Sequence, residues 1–237
     1  MRRVWCWLVM SSALVFAVGC GQESYNKRLA ATLERLERER RIEKNLMKPP
    51  ADKKFQDLSI YIRPPKDEEL VKVGQLPVGE GQYELDSSFV DKNGAVLHLL
   101  SRVKLPKKAA TKGAPPVPPT TTQRGDFTRD VLAVLSSVYG QVEGFATPKF
   151  VDESKRGNPF KRLIAIANDK EVKLYTYKKD NHEVALIFVY DPKLRGPLSS
   201  KIDLCLETFA AGPKAARNFS GGDAEQDDSA GSAVVPM

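Results

Sequence analysis

Positions 4–18 are apolar apart from Ser11 and Ser12; beyond them, apolar residues recur only in patterned form. From Ser24 to Lys48, Leu29, Leu33 and Leu36 fall at steps of four and three among good helix formers. Glu34 with Arg38 and Glu37 with Arg41 add pairs four apart. This predicts a charged helix. Its apolar stripe is narrow and lapses after Leu36 until Ile42, so the helix reads as a solvated spacer, and Pro49 and Pro50 end it.

Leu58, Ile60 and Ile62 alternate with Ser59, Tyr61 and Arg63, the period of a half-buried strand closed by Pro64 and Pro65. Tyr83–Val90 and Ala95–Leu105 flank Asp91-Lys92-Asn93-Gly94, a turn sequence that predicts a hairpin. In its second strand Ala95, Leu97, Leu99 and Val103 share the expected core face, which leaves His98, Arg102 and Lys104 pointing outward. Residues 106–125 hold five prolines and three lysines and read as an exposed loop.

Asp126 is placed to cap a helix whose apolar face is Phe127, Val131, Val134, Leu135 and Val138, with Gly140 as its stop. Three apolar runs follow, Lys161–Ala167, Val172–Tyr177 and Val184–Tyr190, separated by Asn168-Asp169 and Asp180-Asn181. Val184–Tyr190 is apolar on both faces and is expected at the centre of a sheet covered on each side. A last helix is expected from Ser199 or Ser200, with Ile202, Leu206 and Phe209 along one side and Gly212-Pro213 as its end. The remainder to Met237 is rich in Gly, Ser, Ala and Asp and is expected to be disordered.

These elements predict an α+β fold: one mostly antiparallel sheet with two packing helices, mainly on one face, preceded by a charged helical spacer. The expected boundaries are 1–19 for a signal peptide, 20–55 for anchor and spacer, 56–212 for the domain and 213–237 for the tail. In element order, the closing meander and helix resemble the compact α/β/α sandwiches of the photosystem oxygen-evolving-subunit and Mog1 type. That resemblance concerns the fold and implies nothing about function.

Arg2 and Arg3 before the apolar run make a secretion signal, too short at 15 residues for the roughly 20 that a bilayer-spanning helix requires. The run closes on Ala17-Val18-Gly19-Cys20, which resembles the lipobox of bacterial lipoprotein precursors. The resemblance implies cleavage before Cys20, a diacylglycerol on its thiol and fatty acyl chains such as palmitate holding the mature protein on a membrane. Gly21, standing where an aspartate would retain such a protein at the inner membrane, leans the expectation toward the outer one. The alternatives are simple cleavage after Gly19 without lipid, which the same small residues allow, and an uncleaved tilted helix.

Charge supports this placement. Residues 20–55 hold ten basic against six acidic side chains, so much of the net +7 lies beside the anchor, where an anionic lipid surface attracts it. No basic and aromatic pattern of a nucleic-acid-binding sheet is present. Of the three cysteines, Cys6 leaves with the signal and Cys20 is acylated, so Cys205 has no partner for a disulfide.

Chemistry is sparse. His98 and His182 are the two histidines, and neither CxxC, HExxH nor GxSxG occurs, so no metal site, cofactor or catalytic residue is assigned. Gly79-Glu80-Gly81 lacks the rest of a phosphate loop, and Cys205 falls between Ile202 and Leu206 on a helix, where a thiol packs as a small apolar group. Asp67-Glu68-Glu69 and Asp152-Glu153 read as solvated loop carboxylates. Tyr175 and Tyr177 share one strand face, either a platform for protein or sugar or a surface beneath a helix. The expected function is a membrane-anchored envelope lipoprotein with a non-catalytic domain that binds an envelope protein or polymer. The alternative is an envelope hydrolase with an unidentified carboxylate or serine site.

Overall fold

The computed structural model describes residues 19–66, 71–73, 76–79, 81–103, 125–140 and 142–220. The expected signal sequence, Asp67-Glu68-Glu69, Glu80, the proline-rich segment through 124 and the residues beyond Ser220 lie outside them, Gly19 excepted. The chain divides into two units, residues 1–44 and residues 45–237.

In the first unit, helix α1 (Gly19–Asn45) spans 27 residues, about 40 Å at 1.5 Å per residue. Tyr25, Leu29, Leu33 and Leu36 are exposed along it. Lys27 pairs with Glu23 at 2.8 Å, one of the i,i+4 contacts that such a helix uses where it buries little.

The second unit opens earlier than the sequence suggested. A short helix α2 (Lys53–Asp57) is capped by the Asp52 carboxylate, which accepts from the Lys54 amide, and it drives Phe55 into the core. Leu46 is equally buried and bridges to Pro65, so residues 45–55 belong to the domain and not to the spacer. Their apolar side chains are single residues among lysines and prolines, without a period to reveal them.

The expected strand around Ile60 shrinks to β1 (Ile60–Tyr61), which pairs with β9 (Ala210–Ala211) in a ladder apart from the main sheet. Among the described residues the main sheet has seven antiparallel strands: β2 (Val71–Val73), β3 (Leu85–Val90), β4 (Val96–Val103), β5 (Val151–Lys155), β6 (Asn158–Ala167), β7 (Lys170–Lys179) and β8 (His182–Tyr190). Their order is β2-β3-β4-β8-β7-β6-β5. The turn between β6 and β7 places Asn168 and Asp169 at φ of 49° and 61°, the left-handed geometry that short polar side chains tolerate. The fold is α+β as expected, with β2 and β5 added at the two edges.

The helices lie on both faces of the sheet, which corrects the expectation of one face. Helix α3 (Phe127–Tyr139) and the single turn α4 (Glu143–Ala146) close over Leu100, Leu163, Ala165, Leu174, Ala185 and Ile187. The opposite face carries Leu97, Phe188 and Tyr190, against which Leu198 and Ile202 of α5 (Arg195–Thr208) pack. Burial on both sides also explains Val184–Tyr190, whose residues from Val184 onward are all buried.

Helix α5 starts before Ser199, after the 3-10 turn Pro192–Leu194; Pro197 sits in its first turn, where no backbone donor is lost to the helix. Gly212 does not end the ordered chain. With φ of 68° it turns the backbone, and Pro213 takes the first position of a further helix, α6 (Pro213–Phe219). Ala215 is fully buried there, and the Phe219 ring meets Tyr61 edge-on at 5.1 Å. The expected tail beginning at 213 is therefore helical through Phe219.

Two buried ionic assemblies fasten helices to the sheet. On the α3 side, Arg102 donates to Asp130 at 2.6 Å and to the carbonyls of Gln82 and Gly125, with its guanidinium 5.0 Å from the Tyr83 ring centre. On the α5 side, Glu171 accepts from Tyr190 at 2.9 Å and from Arg195 at 2.7 Å, with Lys173 beside it. Burial pushes the Glu171 carboxyl upward, and the hydrogen bonds from Arg195 and Tyr190 more than offset that, holding it below the usual carboxylate range.

Candidate functional site

The sheet register sets the chemistry of one groove. On the α3 face, Asp152 of β5, Lys161 of β6 and Thr176 of β7 are consecutive cross-strand partners, so their side chains stand in one row. Ser154 and Lys178 follow at the next positions of the same face, and Lys178 faces Glu183 of β8. The Lys178 ammonium lies 2.9 Å from the Glu183 carboxylate, and this hydrogen bond raises its pKa.

The first turn of α3 walls off this end of the sheet. The Asp126 carboxylate caps the helix by accepting from the Arg129 amide at 2.9 Å, and Phe127 is buried beneath Arg102. Between wall and strands lies a cavity of about 520 Å³, floored by Asp152, Lys161 and Thr176.

A second cavity of about 430 Å³ shares Asp126 and Thr128 with the first and runs along the outer side of α3. Thr128, Leu132 and Ser136, each four residues on from the last, line its helix side; Phe145, Pro148 and Phe150 line the other. Phe150, Asp152 and Ser154 alternate along one strand direction, so the two cavities form one trough between the edge of the sheet and α3.

Several residues considered from sequence sit elsewhere. Asp152 and Glu153 are not loop neighbours but successive residues of β5 on opposite faces: Asp152 enters the groove, while Glu153 binds Arg162 at 2.9 Å and Lys155 at 3.0 Å. Cys20 falls in the first turn of α1. His98 does not point outward. It is buried beneath α3, its Nδ1 2.6 Å from the Ser88 hydroxyl and its Nε2 2.8 Å from that of Tyr139, and burial lowers its pKa to about 4.

Ser88 beside a histidine has the composition of a nucleophile and base, yet Ser88 is 1% exposed, so no substrate carbonyl reaches its hydroxyl. His182 Nε2 donates to the Leu58 carbonyl at 3.1 Å and fastens the segment before β1. Cys205 is completely buried, which pushes its thiol pKa far up and leaves it a packing group. Tyr175 and Tyr177 form no platform: they lie under the α5 side, in ring contact with Phe160, and Tyr177 meets Phe209 at 5.1 Å. Between α5 and the sheet lies an opening of about 30 Å³, lined by Leu97, Phe188, Leu198 and Ile202.

Sequence reading missed Lys161, Thr176, Lys178 and Glu183 as a group, because their shared face depends on which residue opposes which across three strands. Among the described residues, no cluster of three or more His, Cys, Asp or Glu could hold a metal ion. No helix among them is long and apolar enough to cross a membrane.

No family model matches the chain, and no curated protein does. Among solved structures it is similar to the solution structure of cyanobacterial PsbP (CyanoP) from Synechocystis sp. PCC 6803, at 12% identity and a TM-score of 0.44. The match covers 71% of this chain and 93% of that one. A likeness of that extent assigns neither family nor function.

Proposed function

We propose that the protein is a cell-envelope lipoprotein, held on a membrane by lipid on Cys20, whose α+β domain binds an envelope protein or polymer without chemical turnover. The observation that carries this reading is Ala17-Val18-Gly19-Cys20 at the end of a short apolar run behind two arginines. Two or three acyl chains on one residue hold a protein on a bilayer durably, since each buried methylene contributes about 0.8 kcal/mol. Gly21 favours the outer membrane, with the domain facing the periplasm or the exterior.

Helix α1 supports the same reading. It starts at the proposed anchor and runs for about 40 Å. Its exposed face mixes both charges, which suits a solvated spacer. Binding without turnover is supported by the sealing of Ser88, His98 and Cys205 inside the domain, while the open trough carries groups suited to hydrogen bonding.

Metabolic labelling with a fatty acid tests the anchor. The native protein is expected to take up label and the Cys20→Ala variant to take up none. Equal labelling of the two would refute lipidation at this position.

A further inference from the structure

Resting on the reading of Cys20 as the anchor, we infer that α1 is an interaction surface for a second copy of this chain. Two α1 helices anchored in one membrane pair side by side, parallel and in register, along Tyr25, Leu29, Leu33 and Leu36. At 100° per residue these four fall within about 80° of arc, and Leu29 and Leu36 are one heptad apart and face the same way. They stay 42% to 64% exposed. Together they leave on the order of 400 Å² uncovered, a patch of the size that marks an interaction site.

Burial elsewhere on α1 does not reach this stripe. Ile42 is buried and Arg38 partly buried, and both lie on the side of the helix away from the leucines.

Charge says what fits there. In the turn after Leu36 the same face divides in two, with Glu39 and Glu43 along one edge and Arg40 and Lys44 along the other, all four exposed. A two-fold axis parallel to the helices sets each edge of one copy against the opposite edge of the other. The acidic edge then meets a basic one on both sides of the pair. With Leu29 and Leu36 at d positions and Leu33 at a, Glu39 takes position g and Lys44 the following e, the positions that join across parallel coiled coils.

The seam is short, because Arg40 takes its next position. A pair buries about 800 Å² in total, below the roughly 1,200 Å² of a stable complex, so free chains associate weakly. Two anchors in one bilayer offset that deficit. They confine both helices to one surface, start them at the same height and so raise their effective concentration. A lipid surface is the other occupant an apolar stripe could take, and Glu39 and Glu43 on the same face oppose it, since anionic headgroups repel them. The remainder of α1 stays in water as the spacer.

The test places single cysteines on α1 of the full-length protein in its own membranes and follows the initial rate of covalent dimer formation under mild oxidation, with the native protein as baseline. Leu29→Cys and Leu36→Cys are both expected to cross-link, about tenfold faster than Lys27→Cys on the opposite side of the helix. Adding Glu39→Lys to Leu36→Cys is expected to slow cross-linking about threefold, and adding Lys44→Glu as well to restore it. Cross-linking at only one of the two leucine positions, equal rates at Lys27 and the leucines, a charge exchange that restores nothing, or no cross-linking at all would each overturn the assignment. In the last case, thiols hidden from a water-soluble maleimide would put the stripe in lipid. A chain that takes up fatty acid on Cys20 and fails to cross-link loses the pair and keeps the anchor; one that cross-links without label loses the anchor and keeps the pair.

Discussion

His98 gives the fold a measurable dependence on pH. Its ring lies between Ser88 on β3 and Tyr139 at the end of α3, and burial lowers its pKa to about 4 from an ordinary 6.5. The folded protein therefore resists protonation that the unfolded chain accepts. A group whose folded pKa is depressed contributes its stability in full above the unfolded pKa, here 6.5, and loses it as pH falls toward the folded one. The displacement corresponds to about 3 kcal/mol at neutral pH, of which roughly 2.5 kcal/mol is gone by pH 4.5. Urea denaturation followed by far-ultraviolet circular dichroism at a series of pH values measures this, because both tryptophans lie at positions 5 and 7 and do not report on the domain.

His98→Gln keeps a neutral hydrogen-bonding side chain and removes the titration. Its stability at pH 7 is expected to be lower than native, but its loss between pH 7 and 4.5 should be smaller by roughly 2.5 kcal/mol. Carboxylates such as Glu171 titrate in both proteins and cancel in the comparison. Parallel pH profiles for native protein and variant would refute the placement of a neutral imidazole beneath α3.

Other substitutions probe the remaining contacts. Arg102→Met leaves Asp130 without its guanidinium partner and two backbone carbonyls without a donor, with an expected loss of about 3 kcal/mol or more in equilibrium denaturation. Gly144→Ala would place a methyl carbon 2.9 Å from that of Ala165, so α4 must shift, and a loss of about 1–3 kcal/mol is expected by the same assay. Cys205 should resist alkylation in the folded protein and react fully in urea; rapid native labelling would contradict its burial.

The main sheet was legible because its strands carry strong local signals. Alternation in Lys161–Ala167, the Asn168-Asp169 turn and the two-faced apolar run Val184–Tyr190 each specify structure within a few residues. Elements without such signals were hidden. β5 reads as charged loop because an edge strand exposes Asp152 and Ser154, and Phe55 and Leu46 enter the core singly. The side of the sheet on which His98 lies could not be decided from β4 alone, since a strand covered on both faces buries its polar residues too. The groove was illegible for a stronger reason: it exists only once register has brought four strands and one helix cap together.

Intact-mass spectrometry of the protein extracted from membranes tests the central claim most directly. The account predicts a polypeptide beginning at Cys20 and heavier than its sequence by a diacylglycerol and, where the amine is also acylated, one further chain. An unmodified mass beginning at Met1 or at Cys20 would contradict it.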